Sequence, residues 1–317
     1  MITLNLMDTM TEPEVNKRVA IIGAGLIGCS WAALFLKHGW DVRIWDRNPD
    51  VYNTVSAKVM RALEDLDKLH ETHIERGSFD LCDDLDIAIS DVSFVQENVS
   101  ENLDVKHALF AELDKRVAPR LPIASSTTAY TWSDLFSGFL HKDRFLIAHP
   151  FNPPHLIPLV ELSCHCDPIL AQATAIYEGL GRVVISLKKE VPGHIANRLA
   201  AALWREAIHL MKEGVADVRD IDSALVHGPG LRWATIGPSL AYHLGGGDGG
   251  ISAYFEHLGK SQEKRWDTLG TPRLDDATVQ MLVAMIEREY GERSSSELAK
   301  KRDHDLIGIL KSRKEFS

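Results

Sequence analysis

RVAIIGAGLIG, residues 18–28, is the stretch on which the fold turns. Its first half is a short apolar run ending in glycines, which reads as a buried strand feeding a turn. Residues 26–38 then carry a helix that stops at Gly39, and DVRIW, residues 41–45, is a second strand. Gly23, Gly25 and Gly28 thus make a GxGxxG pattern that follows a strand, opens a helix and lies inside one strand-helix-strand unit. Alone the spacing says little; in that setting each glycine has a task. The first permits the tight turn, the second lets a pyrophosphate approach the backbone, and the third allows close helix packing. Leu26 and Ile27 open the helix, whose N-terminus supplies N–H donors and a partial positive charge to phosphates. Asp46, closing the second strand, is placed to accept hydrogen bonds from the adenosine ribose hydroxyls and would repel a 2'-phosphate. NAD is therefore expected over NADP, with adjacent Arg47 softening the choice. The bland alternative is a glycine turn with an incidental acid.

Working outward, strand-like runs recur at residues 92–96, 121–125, 145–148, 157–162 and 183–187, with helical segments between most of them, including one over 51–74. Alternation of this kind predicts an α/β fold, a largely parallel, doubly wound Rossmann-type sheet covered by helices on both faces. After Val191 the strand pattern disappears. Ile195, Leu199, Leu203, Ala207 and Leu210 form an apolar helix stripe, with Pro192 suited to that helix's first turn. Further helices are expected over 218–226, 275–290 and 296–310, and the run 245–250, with five glycines among its six residues, is expected to be a loop. The expected organisation is a flexible segment 1–15, a nucleotide-binding domain 16–190 and an all-α domain 191–317 for substrate and dimerisation.

The 317 residues are 45% hydrophobic and 25% charged, an ordinary globular composition. A formal charge of -10 with no basic patch argues against a nucleic-acid partner. No apolar run approaches the roughly 20 residues that cross a bilayer, and the N-terminal stretch lacks a signal-like pattern, so a cytoplasmic protein without membrane attachment is expected. The four cysteines lack the spacing of a disulfide framework. Cys164-His165-Cys166 alone hints at metal, its plainer reading being a loop; no metal is expected.

Polar groups gather at the carboxyl ends of strands, where open parallel sheets form their ligand crevice: SSTT at 125–128, HPFNPP at 149–154 and PLVE at 158–161. A histidine and a glutamate flanking a proline-stiffened turn, with Asn197 in the next domain's first helix, suggest more than structure. Through VAIIGAGLIG, QENVSENLDVK, SSTT, AHPFNPP, IPLVEL and VPGHIANRL the chain resembles the L-3-hydroxyacyl-CoA dehydrogenase superfamily over almost its whole length. That resemblance implies His149 as general base, Glu161 as its orienting partner, and Thr128 and Asn197 as the groups holding the reacting oxygen. Thr128 departs from the family's serine by a methyl group. Glu101 and Lys106 match cofactor-side positions; by themselves they read as solvated charges at a helix start.

The implied chemistry is NAD-dependent oxidation of a small L-3-hydroxy acid to the 3-keto acid: His149 takes the hydroxyl proton as hydride leaves for nicotinamide C4. NPPHLIPLVEL, ALWREA and GPGLRWATIGP make the chain similar to the branch holding carnitine 3-dehydrogenases and L-gulonate 3-dehydrogenases (lambda-crystallin), with carnitine favoured. A free carboxylate calls for a guanidinium, and Arg232 is the candidate, its other reading being an interdomain salt bridge. Trp233 and Tyr242 are candidates for a quaternary ammonium by cation–π attraction, or else core. The alternatives are a short-chain L-3-hydroxyacyl-CoA dehydrogenase and an NAD-binding structural protein of crystallin type. A homodimer through the helical domain is implied by the family.

Overall fold

A computed structural model describes residues 16–69 and 74–314; the expected flexible segment 1–15 lies outside them. The chain divides into two units, Met1–Ile195 and Ala196–Ser317. The division falls five residues beyond the 190/191 boundary expected from the loss of strand pattern.

In the first unit the strands are β1 (Arg18–Ile22), β2 (Asp41–Trp45), β3 (Phe79–Leu81), β4 (Phe94–Glu97), β5 (Ile123–Ser125), β6 (Phe145–Pro150), β7 (Leu159–Ser163) and β8 (Val183–Ser186). Between them run α1 (Leu26–Lys37), α2 (Tyr52–Leu69), α3 (Leu85–Ile89), α4 (Leu103–Arg116), α5 (Trp132–Phe136) and α6 (Asp167–Gly179). The strands form one sheet in the order β3-β2-β1-β4-β5-β6-β7-β8, parallel except between β6 and β7. Strand order reverses between β1 and β4, the switch point at which such sheets open a ligand crevice. Alternate residues of β1 feed opposite layers, as the period of two requires. Val19 and Ile21 join a core with Trp31, Phe35 and Tyr177, whereas Ala20 and Ile22 join one with Phe110, Trp132 and Phe136. From Gly28 to Lys37 every residue of α1 is buried; Lys37 is held there by Asp67 at 2.7 Å.

The second unit contains α7 (Ala196–Lys212), α8 (Val218–His227), α9 (Pro229–Trp233), α10 (Pro238–Gly245), α11 (Gly250–Trp266), α12 (Asp276–Tyr290) and α13 (Ser295–Lys314). Its core centres on Ile208, Met211, Val218 and Leu282.

Several expectations are corrected. The sequence pattern missed β3, α9, α10 and α11, each short or glycine-flanked. The expected loop 245–250 is a joint between helices: Gly245 ends α10, Gly247–Gly249 is a 3-10 turn and Gly250 begins α11. A Cβ on Gly246 would lie 1.7 Å from the Gly250 carbonyl oxygen, so the glycines serve close backbone approach. Pro192 lies in a turn before α7, not in its first helical turn. The apolar stripe of α7 is not its core face: Leu199 and Leu203 are exposed, and Ile208 and Met211 are buried. The helix expected over 51–74 begins at Tyr52 after a 3-10 turn, and residues 70–73 lie outside the described residues.

Candidate active site

The glycine turn is built by backbone constraint. Gly23 takes φ +96°, its N–H donates to the Trp45 carbonyl at 2.8 Å, and a Cβ there would sit 2.6 Å from the Asn98 carbonyl carbon. The turn is thereby pressed against the end of β4. A Cβ on Gly28 would meet the Gly23 carbonyl oxygen at 1.9 Å, so the third glycine lets α1 seat on the turn. Gly25 differs: nothing lies within 4 Å of a Cβ placed there. α1 also begins at Leu26 without a side-chain cap, leaving its first turn suited to an anion. Asp46 accepts from the Ala24 N–H at 2.7 Å through one oxygen and from the Asn48 N–H at 2.9 Å through the other. Its carboxylate is therefore fixed beside the turn by two amides. Open space over Gly25, an uncapped helix start carrying Leu26 and Ile27, and a fixed carboxylate together fit a dinucleotide.

Beside this turn, Lys106 and Glu97 are wholly buried and paired at 2.8 Å, and Ser125 donates to the other Glu97 oxygen. Buried charges persist only when paired and hydrogen-bonded in this way. Glu101 receives three donors on one oxygen: Thr127 Oγ1 at 2.6 Å and the amides of Thr128 and Ala129, each at 2.8 Å. Its second oxygen lies 3.4 Å from Lys106 Nζ. Burial by itself would raise this carboxyl, but those donors and the Lys106 charge together hold it below the usual carboxylate range. Glu101 thus ties the SSTT segment to the start of α4. Thr127 is buried in that tie, and Thr128 is exposed.

His149 and Glu161 stand directly opposite one another on the antiparallel β6–β7 ladder. His149 Nδ1 lies 2.9 Å from one Glu161 oxygen, and the other oxygen accepts the Ile195 N–H at 2.9 Å. Both residues are at least 98% buried. A carboxylate so held selects the tautomer with its proton on Nδ1, puts the lone pair at Nε2 and stabilises the imidazolium once formed. The sequence reading passed over His194. Its ring centroid lies 4.8 Å from that of His149, and its Nε2 is 3.3 Å from the Thr127 carbonyl oxygen. No local signal marks it, because the contact joins β6 to a turn before α7 that is far from it in sequence.

Of the remaining candidates, Asn197 belongs to the second unit, at the start of α7. Arg232, in α9, is exposed and makes no ion pair within its unit among the described residues. Tyr242 lies in a pocket of about 500 Å³ with Tyr254, Phe255 and Trp266, its ring 5.1 Å from that of Tyr254. Trp233 does not line that pocket. In the first unit His165 stacks on Trp132 at 3.9 Å and pairs with Glu190 at 2.6 Å. Burial, with lesser contributions from its neighbours, pushes the Cys164 thiol up to about 11.

With this geometry in place, residues 18–191 match the NAD binding domain of 3-hydroxyacyl-CoA dehydrogenase and residues 193–281 its C-terminal domain. The chain is 41% identical over 309 residues to an L-carnitine dehydrogenase of Streptomyces coelicolor, covering 96% of each. It is 35% identical over 300 residues to one of Pseudomonas putida, covering 93% of this chain and 94% of that one. Among solved structures, a 5-formyl-3-hydroxy-2-methylpyridine 4-carboxylic acid 5-dehydrogenase superposes with a TM-score of 0.80 at 24% identity, covering 92% of this chain and 97% of that one. That likeness is one of fold. The (S)-3-hydroxybutyryl-CoA dehydrogenase of Ralstonia eutropha gives 0.59 at 26% identity, covering 76% of this chain and 86% of that one.

Proposed function

The chain belongs to the 3-hydroxyacyl-CoA dehydrogenase family, and from that premise we propose that it oxidises the 3-hydroxyl of L-carnitine, or of a small L-3-hydroxy acid closely like it. It is an NAD-dependent oxidoreductase acting on a 3-hydroxy substrate. The observation that carries the chemistry is the buried His149–Glu161 pair, whose carboxylate is fixed from behind by the Ile195 amide.

His149 is the general base, taking the hydroxyl proton at Nε2 as the alcohol becomes a ketone. Glu161 keeps the ring oriented and offsets the charge it gains. Thr128, and Asn197 by resemblance, hold the substrate oxygen. NAD, when bound, supplies the hydride acceptor; Asp46, Gly25 and the start of α1 hold its adenosine and pyrophosphate.

Relatives named L-carnitine dehydrogenase that match nearly end to end support the substrate. Carnitine carries a carboxylate and a quaternary ammonium. Arg232 offers a guanidinium for the first. The aromatic pocket of Tyr242, Tyr254, Phe255 and Trp266 offers ring faces for the second. We assign the protein to the cytoplasm: no helix among the described residues is long and apolar enough to cross a membrane, and all four cysteines are free. We also assign a homodimer through the second unit, where Leu199, Leu203, Leu231, Leu244 and Phe255 are exposed around a small core.

The test is NADH formation, followed by absorbance, from L-carnitine, L-gulonate, L-3-hydroxybutyrate and L-3-hydroxybutyryl-CoA. Turnover of L-carnitine is expected, with His149→Ala lowering kcat by about 100-fold or more. Turnover of the CoA thioester alone would overturn the free-acid reading, and turnover of L-gulonate alone the carnitine one.

A further inference from the structure

We propose that His194 is a positioning residue, its ring bracing the His149 imidazole against Glu161. The inference rests on the reading of His149 as base.

Three observations converge on one short segment. The His194 ring lies 4.8 Å from that of His149 at an interplanar angle of 32°, and both residues are at least 98% buried. The facing ring therefore limits how far His149 can rotate out of its bond to Glu161. Next along the chain, the Ile195 N–H donates to Glu161 at 2.9 Å, so consecutive residues touch both members of the pair. Third, His194 Nε2 reaches the Thr127 carbonyl at 3.3 Å, and Thr127 in turn donates to Glu101 at 2.6 Å.

The backbone supports a built arrangement. Gly193 and His194 adopt φ of +77° and +52°, a conformation routine for glycine and uncommon for histidine. A side chain that occupies such a position while wholly buried is held there by its contacts. The charges facing it are His149 on β6, Glu161 on β7 and Glu101 before α4. Burial first, and then the charge of a protonated His149, hold the His194 imidazole below its ordinary range, outweighing the Thr127 carbonyl and the two carboxylates. A tilted, facing ring of lowered basicity braces the base.

The test compares His194→Phe, which keeps a ring, with His194→Gln, which keeps a donor for Thr127 without one. Circular dichroism and NADH affinity are read first and are expected to match the parent within about twofold, since the glycine turn is remote in sequence and separately held. For H194Q, kcat should fall about tenfold or more and the acid limb of the kcat/KM profile should move down by about half a pH unit, because a loosened bond to Glu161 stabilises the imidazolium less. H194F should keep most of the rate and the parental limb. On the resting protein, the downfield proton NMR signal of a His149 Nδ1–H bonded to Glu161 should persist in H194F and broaden or vanish in H194Q. Equal behaviour of the two variants, or better retention by H194Q, would overturn the proposal. Failure of the parent on every 3-hydroxy acid would count against the proposed function alone, because the NMR signal is read without turnover and still decides the role of His194.

Discussion

Three donors converge on one oxygen of Glu101, and this concentration makes the residue a sensitive point of the first unit. Its folded-state pKa is depressed, so its contribution to stability is complete above the unfolded value of about 4.3 and is lost as pH falls through the lower folded value. Glu101→Gln should therefore flatten the acid side of a stability-against-pH curve, measured by urea melts from neutral pH downward. At pH 7 the same variant should raise KM for NAD several-fold through the loosened SSTT segment. Legibility differed sharply between residues. His149 and Glu161 flank one turn, twelve residues apart, and local polarity marked both as candidates while the resemblance supplied their roles. The expectation that PLVE closes a strand fails, because 159–161 open β7, which runs antiparallel to β6. Glu101 and Lys106 read locally as solvated charges, yet Lys106 is wholly buried against Glu97. His194 gave no signal, because what it touches is set by how β6 and the turn before α7 meet.

Among elements, the β1–α1 turn distinguishes Gly28, whose Cβ would strike backbone, from Gly25, over which space is open. Gly28→Ala forces a methyl group onto a backbone oxygen that cannot rotate away, and should cost about 3 kcal/mol in thermal or urea unfolding. Gly25→Val meets open space and should leave the melting temperature within a few degrees, yet weaken NADH binding, followed by fluorescence titration, at least tenfold. Equal loss of stability in both variants would count against the assignment of Gly25 to the pyrophosphate. The first unit's strands were legible because parallel, doubly covered strands are apolar runs bounded by polar loops. The second unit's short helices were not. Around Gly246 and Gly250 the glycines that signal a loop instead let two helix ends cross, with the His243 ring 2.6 Å from where a Gly250 Cβ would lie. In α7 the four-residue spacing of the apolar stripe held, but the spacing carries no information about which side finds a core.

For the whole molecule, composition was informative about class and silent about assembly. A chain of 35.3 kDa should sediment at about twice that mass if the apolar residues exposed on α7 meet a second copy. Leu199→Asp combined with Leu203→Asp should shift analytical ultracentrifugation profiles toward the single chain while NADH binding by the first unit survives. A parent that sediments as a single chain would remove the dimer. The reversal of β7 carries a further consequence, in the terms of descent. Because His149 and Glu161 are rungs of one ladder, inserting or deleting one residue within β7 brings Val160 or Leu162 opposite the base and turns the carboxylate to the other face of the sheet. Inheritance can therefore alter this pair by point substitution only, and a lineage that gains or loses a residue there forfeits the orienting acid in a single step.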